Sequence, residues 1–125
     1  MAALLKGIPV LPVGDFGAAL SFYKDKLGFD ETFRDNSDAP GYVGLKRDDV
    51  EVHLARVDGG LARTVGEQTM ARFLVKDVDG LFSEYSKHGG VIHPNGKLAD
   101  KPWGTREFAV LDPTGVCITF YRDAQ

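Results

Sequence analysis

Two hydrophobic periods alternate along this chain, and the alternation is written twice. Phe16, Ala19, Leu20 and Tyr23 fall at i, i+3, i+4 and i+7, the spacing of one buried helix face. At an offset of 62 residues Val78, Leu81, Phe82 and Tyr85 repeat the stripe. An aspartate suited to capping precedes each stripe, Asp15 and Asp77, and glycines follow, Gly28 in the first half and Gly89-Gly90 in the second. Runs with strand character surround both helices. Residues 7–13 and 70–75 precede them; residues 29–34, 41–45 and 50–56 follow the first, and 91–94, 105–111 and 116–121 follow the second. Asp112-Pro113-Thr114-Gly115 between the last two runs has proline and glycine where a type I turn takes them. The unit is βαβββ, twice. The expected architecture is α+β: two βαβββ modules with curved mixed sheets and helices on their outer faces. Residues 1–125 form one domain in this reading, with module one at about 1–62 and module two at about 63–125.

The strand pattern also predicts faces. Val50, Val52 and Leu54 alternate with Glu51 and His53, so the apolar set faces the helix and Glu51 and His53 face away. Val116, Ile118 and Phe120 likewise alternate with Cys117, Thr119 and Tyr121. A curved sheet with a semi-polar free face is a suitable ligand cup. Pro9 and Pro12 each remove a ladder donor, which makes the first strand an edge strand or an arm exchanged with a second subunit.

Composition narrows the function classes. Hydrophobic residues make up 43% of the chain and charged residues 26%, as in an ordinary globular protein. No apolar run is long enough to span a membrane, and residues 1–6 do not read as a signal peptide. With the single cysteine, Cys117, and hence no internal disulfide, the reading is a cytoplasmic protein. A net charge of −3 argues against nucleic-acid and acidic-membrane partners. Asp30, Glu31, Asp35, Asp38, Asp48, Asp49 and Glu51 face only Arg34, Lys46 and Arg47, a local balance of −4. That stretch is either a solvated surface or a field that draws a cationic ligand.

Paired βαβββ modules, with Phe22-Tyr23-Lys24-Asp25-Lys26-Leu27-Gly28-Phe29 and Asp112-Pro113-Thr114-Gly115, resemble the vicinal oxygen chelate superfamily, which includes glyoxalase I, extradiol dioxygenases and antibiotic-resistance proteins. Pro9-Val10-Leu11, Arg47-Asp48-Asp49-Val50 and Lys101-Pro102-Trp103-Gly104-Thr105-Arg106-Glu107-Phe108-Ala109-Val110 resemble the bleomycin-resistance proteins within it. Metal enzymes of the superfamily hold one divalent ion at four strand positions, which fall here on Ile8, His53, Met70 and Thr119. Isoleucine and methionine cannot replace a hard-metal imidazole or carboxylate, and a catalytic metal wants about three protein ligands. The expectation is therefore no enzyme, no resident metal and no cofactor, with His53 as a polar wall residue of the cup.

The resemblance implies a homodimer with two clefts at the subunit interface. It also implies that a bleomycin-like glycopeptide, with a flat bithiazole and a cationic tail, binds there unmodified, metal-free or metal-loaded. Trp103 sits in a Pro-Trp-Gly loop where no stripe demands a core tryptophan, so it is either a stacking surface or a core plug. Phe33 and Tyr42 fall at or near the family's stacking positions. Asp35 and Asp38 would attract the cationic tail, and Gly104 would let a ligand approach the backbone. Two alternatives stand beside sequestration. One is a metal-dependent lyase, transferase or dioxygenase using His53 with Glu51 or Glu107. The other is a binding protein for a different small aromatic ligand.

Overall fold

Each helical stripe in the sequence becomes the cover of one sheet. The computed structural model describes residues 2–58 and 60–124. Strands β1 (Val10–Val13), β2 (Asp30–Arg34), β3 (Tyr42–Arg47) and β4 (Val50–Arg56) form a four-stranded sheet in the order β1-β4-β3-β2. Strands β5 (Met70–Leu74), β6 (Ala99–Asp100), β7 (Thr105–Leu111) and β8 (Cys117–Asp123) form the second, in the order β5-β8-β7-β6. In both, the strand before the helix pairs parallel with the last strand of its module, and the other pairings are antiparallel. Helices α1 (Phe16–Leu20) and α3 (Val78–Ser86) start where the aspartates cap them: Asp15 accepts the Ala18 N–H and Asp77 the Gly80 N–H. The fold is the α+β pair of mixed sheets that the repeat predicts.

The core lies between sheets and helices. Phe16, Ala19 and Tyr23 from the first stripe and Val78 and Tyr85 from the second are buried with Val52, Leu54, Phe108, Ile118 and Phe120. Buried contacts also tie the two halves together. Tyr23 donates to Asp112 at 2.6 Å, and Tyr85 donates to the Leu27 carbonyl at 2.8 Å. Arg47 reaches the same carbonyl and the Glu84 carboxylate, each at 2.8 Å.

Four details differ from the sequence reading. Helix α1 continues as a wider π-helical turn over Ser21–Lys26. A further helix, α2 (Leu61–Glu67), which the stripes did not predict, lies between β4 and β5. Its Gly66 lies against the Thr114 backbone, a contact that no side chain would allow. The run 91–94 is no strand: it makes one bridge, Ile92 to Val110, and the fourth strand of the second sheet is β6. Pro94 and the turn in which the Gly96 N–H donates to the His93 carbonyl divert the chain there. Strand β1 begins at Val10 rather than at residue 7; it is the edge strand, one of the two expectations, and pairs with β4. Among the described residues no helix is long and apolar enough to cross a membrane.

Candidate functional site

The free face of each sheet, opposite its helix, carries its own cluster of side chains. On the first sheet β3 and β4 pair Gly44 with His53, and β2 pairs Phe33 with the same Gly44. A Cβ at Gly44 would stand 2.1 Å from the Phe33 ring, so the glycine is what lets the ring lie down across the sheet. Phe33 then stacks on Tyr42, with ring centroids 6.1 Å apart and planes 24° off parallel. His53 meets both rings edge-on at 5.2 Å.

A hydrogen-bond relay fixes these rings. The Tyr42 hydroxyl lies 2.7 Å from His53 Nδ1, and His53 Nε2 lies 2.8 Å from Glu51. With a neutral imidazole, the tyrosine donates to Nδ1 and Nε2–H donates to the carboxylate, which satisfies every group. Lys6 closes the relay on Glu51; its hydrogen bond, with that from His53, holds the Glu51 carboxyl below the usual range. Asp35 shapes the loop leading into β3, because its Oδ1 accepts the Gly41 and Tyr42 N–H groups at 2.9 and 3.2 Å. These backbone donors also keep its pKa low, so the group is anionic at neutral pH. The acidic stretch is partly neutralised in place. Glu31 pairs with Arg34 and Lys24, and Arg47 with Glu84 and Asp48.

The free face of the second sheet is ionic. Glu107 is only 6% exposed. It accepts from Arg72 Nη2 at 2.9 Å and from Thr105 Oγ1 at 2.6 Å, and Trp103 Nε1 approaches the same Oε2 at 3.5 Å. Burial pushes the Glu107 pKa up, but the hydrogen bonds from Arg72 and Thr105 outweigh it and the net shift is downward. The Arg72 guanidinium lies over the Tyr121 ring, 4.7 Å from its centroid. Trp103 itself is 65% exposed, which excludes the core-plug role. Gly104 has φ +92° and closes the turn by donating to the Lys101 carbonyl, and the side on which a Cβ would stand is open.

The structure thus brings together Phe33, Tyr42 and His53, ties Asp35 to their loop, and puts Trp103 and Gly104 on the other module. Among the described residues no hydrogen bond, ion pair or ring contact joins the two groups. A cavity of about 650 Å³ lies elsewhere, between α3 and the β3–β4 turn, and none of the six predicted residues lines it. Of the four metal-position residues, Ile8 precedes β1, Met70 opens β5 and is largely exposed, and His53 and Thr119 are half-buried on β4 and β8. Among the described residues no group of three or more His, Cys, Asp or Glu side chains could hold a metal. Cys117 is half-buried, and burial raises its thiol pKa, the reverse of what a nucleophile needs. Sequence reasoning missed the roles of Gly44, Arg72 and Thr105. A glycine inside a strand pattern is itself a signal for close approach, but nothing local marks the other two.

Comparison with known proteins reaches nearly the whole chain. Residues 7–120 match the model of the Glyoxalase/Bleomycin resistance protein/Dioxygenase superfamily. Bleomycin resistance proteins from Geobacillus stearothermophilus and from Staphylococcus aureus strain MRSA252 are each 32% identical, over 95% of this chain and 97% of theirs. The bleomycin-binding protein from bleomycin-producing Streptomyces verticillus, solved with copper(II)-bleomycin, is 31% identical; its TM-score is 0.79, covering 96% of this chain and 97% of that one.

Proposed function

This chain belongs to the glyoxalase/bleomycin resistance protein/dioxygenase superfamily, and from that premise we propose that it binds bleomycin-family glycopeptide antibiotics without modifying them, protecting by sequestration. The observation that carries the reading is near-full-length similarity to a protein solved with copper(II)-bleomycin. The two free sheet faces support it. Each presents aromatic surface to solvent, Phe33 at 45% and Trp103 at 65% exposure, where a flat heteroaromatic group can stack. Asp35, held anionic by backbone donors, supplies charge complementary to a cationic tail.

The binding unit is a homodimer in this reading, with the Phe33–Tyr42–His53 face of one subunit completing a cleft with the Trp103–Gly104 turn of the other. Exposed Leu4, Leu5, Val10, Met70 and Leu74 support an interface, since such apolar side chains stabilise association when covered. The residues before β1 are the segment that would cross to the partner. Sedimentation of the purified protein is expected to give a dimer, and a monomer at the concentration of saturating ligand would overturn the shared cleft.

The residues at the superfamily's metal positions do not fit a divalent ion. Ile8 and Met70 offer no hard ligand, Thr119 is a poor one, and both nitrogens of His53 are engaged by Tyr42 and Glu51. No catalytic residue and no cofactor are assigned. Calorimetric titration with metal-free and with copper-loaded bleomycin tests the reading, with the drug recovered afterwards for mass spectrometry. Saturable binding near one ligand per chain, with intact drug recovered, is expected. Altered drug would favour a metal-dependent lyase, transferase or dioxygenase instead. No binding of either form would favour a different small aromatic ligand.

A further inference from the structure

Glu107 organises more than an ion pair. A carboxylate buried on an otherwise open sheet face is stable only when its oxygens are satisfied, and here all its partners are side chains that themselves reach solvent. Arg72 Nη2 and Trp103 Nε1 meet at one oxygen, Oε2, which sets the guanidinium and the indole side by side. Tyr121 supports the guanidinium from below. Arg72 carries five N–H donors, and Glu107 is the sole hydrogen-bond acceptor for them among the described residues. Its side chain is 47% exposed, so the remaining donors are open to a ligand.

We propose that the free face of β5, β7 and β8 carries a preformed subsite in which Trp103 takes a flat aromatic ring and Arg72 takes a carboxylate or carbonyl oxygen attached to that ring, with Glu107 as the positioning residue for both. The inference rests on the reading that this face binds a flat aromatic ligand, and it adds the ligand's second feature, an acceptor oxygen in the ring plane. The geometry is set before binding, so ordering these two long side chains costs the complex little. Arginine suits this role better than lysine because its planar fork can hold Glu107 on one edge and an oxygen on another.

Trp103 is the sole tryptophan, so its fluorescence reports this site alone. The whole protein is titrated with 2-phenylthiazole-4-carboxylate and with 2-phenylthiazole, and Arg72→Met and Glu107→Gln are run beside it. Saturable quenching by the carboxylate is expected, weakened about tenfold in Arg72→Met, the scale of one charge-assisted hydrogen bond, while the carboxylate-free probe is unaffected by that change. Glu107→Gln is expected to speed the decay of Trp103 anisotropy without ligand. Equal affinity of Arg72→Met and the parent for the carboxylate, no quenching of the parent by it, or an unchanged anisotropy decay in Glu107→Gln would each overturn the proposal. If Arg72→Met fails to fold by circular dichroism, Arg72→Lys takes its place, with a several-fold loss expected and no loss overturning. Bleomycin is titrated in parallel: its failure to bind while the carboxylate probe still depends on Arg72 would remove the bleomycin reading and leave the subsite standing.

Discussion

Where β3 of the first sheet carries Tyr42, the matching position of β7 carries Glu107; where β1 carries Val10, β5 carries Arg72. The registers establish the equivalence, since Val10 and Gly44 both pair with His53 as Arg72 and Ala109 both pair with Thr119. One backbone plan therefore presents two chemistries. The first face is a cluster of rings tied through His53 to the Glu51–Lys6 pair, and the second is a buried carboxylate gripped by a guanidinium, a hydroxyl and an indole. A repeat fixes where side chains stand but not what they are. Divergence at equivalent positions puts rings around a histidine on one face and a buried carboxylate with its guanidinium on the other.

The difference can be broken by substitution. Glu107→Ala would leave the Arg72 and Thr105 donors without their acceptor, and a cost of about 2 to 3 kcal/mol in urea unfolding is expected, the scale of lost charge-assisted hydrogen bonds, because the remaining Arg72 still reaches water. Gly44→Ala attacks the other face by forcing the Phe33 ring off the sheet. Overpacking of this kind costs about 2 kcal/mol, visible as a lower melting temperature, and it should also weaken bleomycin binding. Trp103→Ala sharpens the contrast between stability and binding. The exposed ring leaves stability within about 0.5 kcal/mol, whereas bleomycin affinity measured by calorimetry should fall by about 2 kcal/mol if the ring is a stacking anchor.

The smallest effect is electrostatic and confined to the first sheet. Hydrogen bonds from Arg34, and secondarily from Lys24, hold the Glu31 carboxyl at about 2, against 4.5 ordinarily. A depressed carboxyl contributes its full stability above pH 4.5 and loses it as the pH falls toward 2. Glu31→Gln should remove that part of the acid dependence, worth about 0.5 kcal/mol for a solvent-screened pair, as read from unfolding curves taken across that window.

Much of the fold was legible because its signals are local. Asp15 and Asp77 each accept an N–H three residues on, and the stripes they open are buried in the core or packed against it. That residues 91–94 shrink to a single bridge on β7 was not legible, because strand propensity there lost to the turn in which Gly96 donates to the His93 carbonyl. Helix α2 escaped for the opposite reason. Leu61–Glu67 has a short, weak stripe and is held by Gly66 against the Thr114 backbone and by Ala62 against Gly14. Of the predicted site residues, Phe33, Tyr42 and His53 form one cluster, whereas the loop position of Trp103 left both a stacking surface and a core plug open, and only the packing leaves the ring exposed. The work of Asp35 within its own loop could not be read from a string of acids.

By itself, then, the sequence determined the two modules, their helices and the faces of their strands, because periodicity and capping act over a few residues. The tertiary structure alone decided which side chains meet. Arg72 finds Glu107 across 35 residues and Tyr23 finds Asp112 across 89, through strand register and the packing of one half on the other. These contacts depend on how distant segments align, and no local pattern encodes that alignment.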